Sequence, residues 1–349
     1  MSRDAVAALA DALERLPRLR LGDVPTPLQP APRFSARLAA LAGAGVEVWL
    51  KRDDLLGPAF GGNKVRKLEL LLGDALAQGA DCVITTGAAQ SNHARLTAAC
   101  ARLVGLEPYL VLRGAPDSPV QGNLLLDHLL GAHVELVAVR RTAETWPAME
   151  ALAARLRSGG RRPYLIPVGG SVPLGAAAYA GAMLELDAQL AAAGLQPHAV
   201  FHASSSSGTQ AGLALGAAAL ARIGRDRRVA GVDVDGEPDA LERSVAGLAR
   251  ETAARLGLPD ELLPDPASHV SVLGGYAGPG YGRVSEAGRE AIRLLAETEG
   301  VFADPVYSGK ALAGLLGEVC SGRVPAGSQM VFWHTGGTPA LFAYADALV

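Results

Sequence analysis

Lys64 follows a glycine pair and an asparagine in Gly61-Gly62-Asn63-Lys64-Val65-Arg66-Lys67 and opens an amphipathic segment. A lysine amine can form a Schiff base with a carbonyl once desolvation or a nearby cation lowers its pKa. A solvated lysine at a helix start is the plainer alternative. The second candidate is Ala203-Ser204-Ser205-Ser206-Ser207-Gly208-Thr209-Gln210-Ala211-Gly212, between a strand-like run and an apolar helix. Small residues let the backbone approach an anion, hydroxyls donate to it, and a helix N-terminus adds partial positive charge, so this loop reads as a phosphate cradle. A Ser-rich capping loop would look the same. In Gly87-Ala88-Ala89-Gln90-Ser91-Asn92-His93, Ser91 and Asn92 fall where free N–H groups bind carboxylates or ring oxygens, although capping alone accounts for Ser91. His93 is either a base or packing beneath the loop. Two tyrosine loops, Gly278-Pro279-Gly280-Tyr281-Gly282 and Asp304-Pro305-Val306-Tyr307-Ser308-Gly309-Lys310, offer phenols for proton transfer or rings for packing. His334-Thr335-Gly336-Gly337-Thr338 closes the last strand-like run. No G-x-x-x-x-G-K-[ST] occurs, and no G-x-G-x-x-G follows a strand, which sets aside a P-loop and weakens a dinucleotide reading.

The elements that must carry these loops alternate along the chain. Val46–Leu50, Cys82–Gly87, Tyr109–Leu112, His133–Val139, Pro163–Val168, Ala199–Ala203, Val229–Val234, Val270–Leu273 and Met330–Trp333 read as strands. Helices are expected over Ala94–Val104, Val120–Leu130, Ala143–Arg157, Leu174–Ala193, Thr209–Ala221, Pro238–Leu256 and Ala340–Leu348. Such alternation predicts an α/β fold of right-handed crossovers, with ligands beyond the carboxyl ends of the strands.

Composition excludes several classes. The 349 residues carry 32 Lys and Arg against 35 Asp and Glu, a net charge of −3. With 49% hydrophobic and 19% charged residues, the chain has the apolar surface to fold. It lacks the clustered positive charge of a nucleic-acid binder. The longest apolar runs fall short of the ~20 residues of a membrane span. Met1 to Arg20 mixes apolar and acidic residues, so no signal peptide is expected. Cys82, Cys100 and Cys320 are too few and scattered for a disulfide framework or a metal cluster, and no metal is expected. The simplest setting is a reducing cytoplasm.

Taken together, Lys51-Arg52-Asp53-Asp54, Gly61-Gly62-Asn63-Lys64, Gln90-Ser91-Asn92-His93, Ser207-Gly208-Thr209-Gln210-Ala211-Gly212, Asp304-Pro305-Val306-Tyr307-Ser308-Gly309-Lys310 and His334-Thr335-Gly336-Gly337 resemble one family. It is the D-cysteine desulfhydrase and aminocyclopropane-carboxylate deaminase family of fold-type II pyridoxal-phosphate enzymes. The resemblance runs in order from near Pro25 to the C-terminus. It implies a fold like the β subunit of tryptophan synthase: two doubly wound parallel-sheet domains with the cofactor site between them. The larger would comprise residues 1–69 and 186–349, and the smaller, inserted one residues 70–185. A homodimer is implied as well.

By the same resemblance, Lys64 would carry pyridoxal 5'-phosphate and move protons at the substrate. Ser205, Ser206, Ser207, Gly208 and Thr209 would hold the phosphate, Asn92 the ring hydroxyl, and Ser91 the substrate carboxylate. Tyr307 would lie against the ring and Thr335 face its nitrogen. Tyr281, His93 and Ser308 would stand near the substrate, a small amino acid. A neutral hydroxyl opposite the ring nitrogen makes a weaker electron sink than a carboxylate, which suits prompt departure of a β-leaving group. The family's ring-opening deaminases have Glu directly after the tyrosine of the D-P-V-Y segment; Ser308 stands there. The expectation is therefore α,β-elimination, with D-cysteine giving pyruvate, sulfide and ammonia. Aminocyclopropane-carboxylate deamination, an L-cysteate sulfo-lyase-like activity, and a non-catalytic small-molecule binder on the same scaffold are the alternatives.

Overall fold

Short β-branched runs buried on both faces pair in parallel, and the Ala- and Leu-rich runs between them make the crossovers. The computed structural model describes residues 4–349; Met1 to Arg3, where the N-terminal reading begins, lie outside them. The strands are β1 (Leu28–Pro30), β2 (Glu47–Arg52), β3 (Cys82–Ala88), β4 (Glu107–Arg113), β5 (His133–Val137), β6 (Pro163–Ile166), β7 (Ala199–Ser204), β8 (Val229–Asp233), β9 (Val270–Leu273) and β10 (Gln329–His334). The helices are α1 (Ala5–Glu14), α2 (Pro32–Ala42), α3 (Lys64–Ala77), α4 (Asn92–Leu103), α5 (Gly122–Leu129), α6 (Trp146–Ser158), α7 (Pro173–Ala193), α8 (Gly208–Ala221), α9 (Pro238–Arg255), α10 (Glu286–Glu299), α11 (Ser308–Cys320) and α12 (Ala345–Leu348).

Two sheets form. One has the order β1-β2-β10-β7-β8-β9, the other β5-β4-β3-β6. Every pair is parallel except β1 with β2, where Pro30 lies opposite Trp49. Strand β10, late in the chain, sits at the centre of the larger sheet: Phe332 faces Leu50 of β2 on one side and Phe201 of β7 on the other. Alternate residues of β10 feed opposite layers. Met330 and Phe332 join Phe34, Leu38 and Leu312 beneath α2, α10 and α11. Val331 and Trp333 join Tyr179, Met183 and Leu213 beneath α7 and α8. The smaller sheet uses only residues 82–166, while α7 spans residue 185 and packs against α8 and α3.

Several expectations are corrected, among them β6, which stops at Ile166 rather than Val168 because Val168–Gly170 is a 3-10 turn. Ala340–Leu348 is a 3-10 turn over Thr338–Ala343 followed by the single turn of α12. Gly336 and Gly337, both at positive φ, set its entry, and Pro339 in its first turn has no N–H to donate. Thr142–Thr145 is likewise 3-10, with α6 starting at Trp146 beside Pro147. Strand β5 stops at Val137 rather than Val139.

Candidate active site

The carboxyl ends of β3, β7, β8 and β10 open on a cavity of about 400 Å³ between the two sheets. Of the residues singled out from sequence, all but Gly208 and Ser308 line it. The loops that looked separate along the chain meet here because parallel strands deliver their following loops to one edge.

Lys64 is the first residue of α3, half-buried, and its Nζ donates to Asn63 Oδ1 at 3.0 Å. Asn63 Nδ2 in turn donates to Thr209 Oγ1 at 3.1 Å, so the lysine is linked to the start of α8. Burial lowers the Lys64 pKa to about 8; Arg95 adds to that, and Asp304 opposes it. The helix is held from behind by a buried charge network. Arg66 donates to Asp53 Oδ1 at 2.9 Å and Glu185 Oε2 at 2.8 Å, Lys51 pairs with Glu185, and Tyr179 donates to Asp53 Oδ2 at 2.6 Å. This is the structural work of the Lys51-Arg52-Asp53-Asp54 segment.

The serine loop turns tightly into α8. Ser207 takes φ 71°, and Gly208 N donates to Ser206 O at 2.9 Å. Side chains with left-handed φ persist where surroundings over-determine them, which is characteristic of ligand sites. The four serines are not equivalent. Ser205 Oγ donates to Asp235 Oδ2 (2.8 Å), Ser207 Oγ to Ser244 Oγ (2.8 Å), and Ser206 Oγ accepts from Ser171 Oγ (2.9 Å), while Ser204 Oγ is buried with no partner. Gly208 stands behind the cavity wall. A Cβ there would lie 2.8 Å from Ser171 Oγ and 2.9 Å from Lys67 Nζ, so any larger residue would displace those side chains.

Ser91 caps α4, accepting from Ala94 N at 3.1 Å and keeping its own proton free. Asn92 Oδ1 accepts from Asn123 Nδ2 at 2.8 Å, which fixes the amide's orientation. His93 is buried. Its Nε2 lies 2.9 Å from Thr85 Oγ1, whose proton goes to Ile166 O, so Nε2 is the donor. Burial, then Lys64 and Lys67, push its pKa well below the ordinary value and keep the ring neutral.

Tyr281 and Tyr307 hydroxyls are 2.5 Å apart, with the rings edge to face. Burial raises both phenols, Tyr281 to about 12 and Tyr307 further, so both are protonated at neutral pH. The Arg113 guanidinium lies 5.2 Å from the Tyr281 ring centre and favours its anion. Buried Lys310 fixes this loop by donating to Gly280 O at 2.8 Å. Thr335 lines the cavity, and its carbonyl accepts from Asn63 N at 3.0 Å. Ser308 is fully buried and turned elsewhere. Its hydroxyl donates to Asp304 Oδ1 at 2.7 Å and accepts from Asp304 N, closing the turn that starts α11.

Sequence reasoning missed Lys67 and Ser171. Lys67 is 1% exposed, donates to Gly169 O at 3.1 Å, and has no carboxylate partner among the described residues. Burial, then Lys64, push its pKa well below an ordinary lysine's. Its spacing of three from Lys64 puts both on one helix face, a signal available in the sequence. Ser171 follows a positive-φ glycine pair, and nothing local marks it.

A desolvated lysine whose amine can add to a carbonyl, beside a hydroxyl-rich helix start backed by a buried second lysine, fits an aldehyde bearing a phosphate ester. Comparison with known proteins agrees. A family model described as pyridoxal-phosphate dependent enzyme matches residues 19–336. D-cysteine desulfhydrase of Klebsiella pneumoniae (strain 342) is 42% identical over 339 residues, 95% of this chain and 97% of that protein. The crystal structure of an ACC deaminase homologue superposes with a TM-score of 0.86 at 36% identity, covering 100% of this chain and 99% of that one. A threonine deaminase isoform from Solanum lycopersicum shares the fold at a TM-score of 0.66 and 17% identity, over 97% of this chain and 85% of that one. With its lysine, anion cradle and parallel sheets so arranged, the chain belongs to the pyridoxal-phosphate dependent enzyme family and has the fold-type II architecture.

Proposed function

We propose that this protein is a lyase performing α,β-elimination on a small β-substituted amino acid, with D-cysteine and one water giving pyruvate, sulfide and ammonia. One observation carries the reading: a single cavity holds a lysine of lowered pKa, an anion cradle and two phenols in mutual contact. The D-cysteine desulfhydrase name of relatives near 42% identity supports the substrate. When bound, pyridoxal phosphate supplies an electron-withdrawing ring that acidifies the substrate's α-proton.

The residues divide the remaining work. Lys64 would hold the cofactor at its aldehyde carbon and would move the substrate's α-proton. The Ser205–Thr209 loop would hold the phosphate, with Ser171 and Lys67 supporting the loop from behind. Asn92, oriented by Asn123, addresses the ring hydroxyl, and Ser91 with its free proton addresses the substrate carboxylate. Thr335 addresses the ring nitrogen. Tyr281 gives a proton to the departing sulfur, with Tyr307 behind it and Arg113 stabilising the phenolate left. His93, held neutral, packs beneath the substrate. Ser308 offers no free acid, since its hydroxyl is bonded to Asp304; this favours elimination over ring opening.

D-cysteine, L-cysteine, L-cysteate, D-serine and aminocyclopropane-carboxylate should be compared by keto-acid release. Pyruvate with sulfide from D-cysteine is expected. α-Ketobutyrate from the cyclopropane, or equal inertness towards all five, overturns the reading. Lys64→Ala should abolish the visible absorption band of the loaded protein and lower turnover by on the order of 10³-fold or more.

The proposal extends to organisation. The smaller unit would be the inserted one, which confinement of its sheet to residues 82–166 supports, and the packing of α7 on α8 favours a return to the larger unit before Pro173 rather than after residue 185. A homodimer in the cytoplasm completes it; a single-chain mass by light scattering would remove the dimer.

A further inference from the structure

We infer that Arg95 is a positioning residue for Lys64: its guanidinium clamps the strained turn Ala59–Gly62 and so sets where α3 presents the lysine. The inference rests on the reading of Lys64 given above. Four consecutive residues in that turn have positive φ: Ala59 at 49°, Phe60 at 67°, Gly61 at 60° and Gly62 at 140°. Two of them are not glycine, and such conformations persist only when neighbours enforce them. The Phe60 side chain is 61% exposed, so its own packing does not anchor the turn.

Arg95 lies on α4, one turn after Ser91 and Asn92, and is fully buried. Its Nη1 donates to Ala59 O and its Nη2 to Gly61 O at 3.1 Å. Asp127, the carboxylate whose charge it feels most, has both oxygens unbonded. The fork is thus directed to two carbonyls of the turn rather than into an ion pair. Two residues beyond the clamped carbonyl, Asn63 N reaches Thr335 O, and Lys64 follows. Arg95 therefore couples the helix bearing Ser91 and Asn92 to the turn bearing Lys64.

The test uses Arg95→Met, Arg95→Lys and the double variant Arg95→Met/Phe60→Gly in the full chain. Two quantities are read: hydrogen exchange of amides 59–63 without added cofactor, and the rate at which added pyridoxal phosphate becomes fixed by borohydride to Lys64. Arg95→Met should speed exchange and slow attachment tenfold or more, and Arg95→Lys should do so less. Phe60→Gly, by relieving the strain that the clamp opposes, should recover at least threefold of the attachment rate. A role confined to packing of α4 predicts no such rescue. Values within twofold of wild type, or no recovery in the double variant, overturn the inference. If Arg95→Met does not accumulate as folded protein, Arg95→Lys decides alone: a threefold change supports the clamp and wild-type values refute it. Because exchange is read without cofactor, unchanged exchange refutes the clamp independently. Failure of wild-type protein to fix pyridoxal phosphate refutes the reading of Lys64.

Discussion

Burial, helped by Arg95 and opposed by Asp304, lowers the pKa of the Lys64 amine to about 8. Attachment to an aldehyde needs the neutral amine. Uptake of pyridoxal phosphate by cofactor-free protein, followed by its visible band, should therefore accelerate with pH through about 8 and then level off. Continued acceleration towards 10.5, the ordinary lysine value, would contradict this placement. The linkage has a definite sign: the folded state binds fewer protons than the unfolded one between these values, so this group makes stability rise with pH across that window. Lys67 makes the complementary prediction. Lys67→Met replaces a buried amine, which has no carboxylate partner among the described residues, by an apolar side chain, so the cofactor-free protein should melt higher. Affinity for pyridoxal phosphate by equilibrium dialysis should fall by roughly 10- to 150-fold, the worth of a hydrogen bond to a charged group of ~1.5–3 kcal/mol.

Helix α8 presents Gly208, Gly212 and Gly216 at intervals of four, Gly208 towards Ser171 and Lys67 and the other two against α7. A Cβ on Gly212 would lie 2.5 Å from Tyr179 Cβ, and one on Gly216 2.6 Å from Met183 Cβ. Each Gly→Ala change should cost about 1–3 kcal/mol by overpacking, less the ~1 kcal/mol that alanine adds in a helix. Gly212→Ala, one turn from the cradle, should also weaken pyridoxal-phosphate binding, whereas Gly216→Ala, a turn further, should lower the melting temperature alone. Equal effects on binding would contradict the helix start as the cradle. These elements were largely legible in the sequence, since buried parallel strands such as Cys82–Ala88 are written in consecutive apolar residues and the site loops in glycine and serine. Strand β1 was not, because three residues ending in Pro30 carry no period, and helices α1, α2, α10 and α11 were not read from the sequence either. The closing helix was misread because an Ala-rich segment has helical propensity whatever turn precedes it. Lys67 was passed over because a lysine's burial is decided by distant segments, here the Gly169 loop and α8.

At the scale of the molecule, the cavity mouth is crossed by Arg141 and Glu237 at 3.4 Å, on opposite sheets' loops and 75% and 62% exposed. So exposed a pair contributes ~0–1 kcal/mol at most and cannot hold the walls together. Arg141→Glu, which sets like charges across the mouth, should leave the melting temperature unchanged and raise KM for the amino acid by less than about tenfold. A lost fold or an unaltered KM would count against a role at the mouth. The buried joins are different in kind: Asn63 with Thr209 and Thr335, and the Arg66 network, tie α3 to α7, α8 and β10.

The position of β10 bears on how the molecule comes into being. The smaller sheet is complete once residue 166 has left the ribosome, but the larger lacks its middle strand until Gln329–His334 is made. Until then β2 and β7 each expose an unpaired edge, separated by nearly 150 residues of already synthesised chain, and such edges invite aggregation. Synthesis therefore yields a half that can settle early and a half that must wait for the final segment to slot between two strands already present.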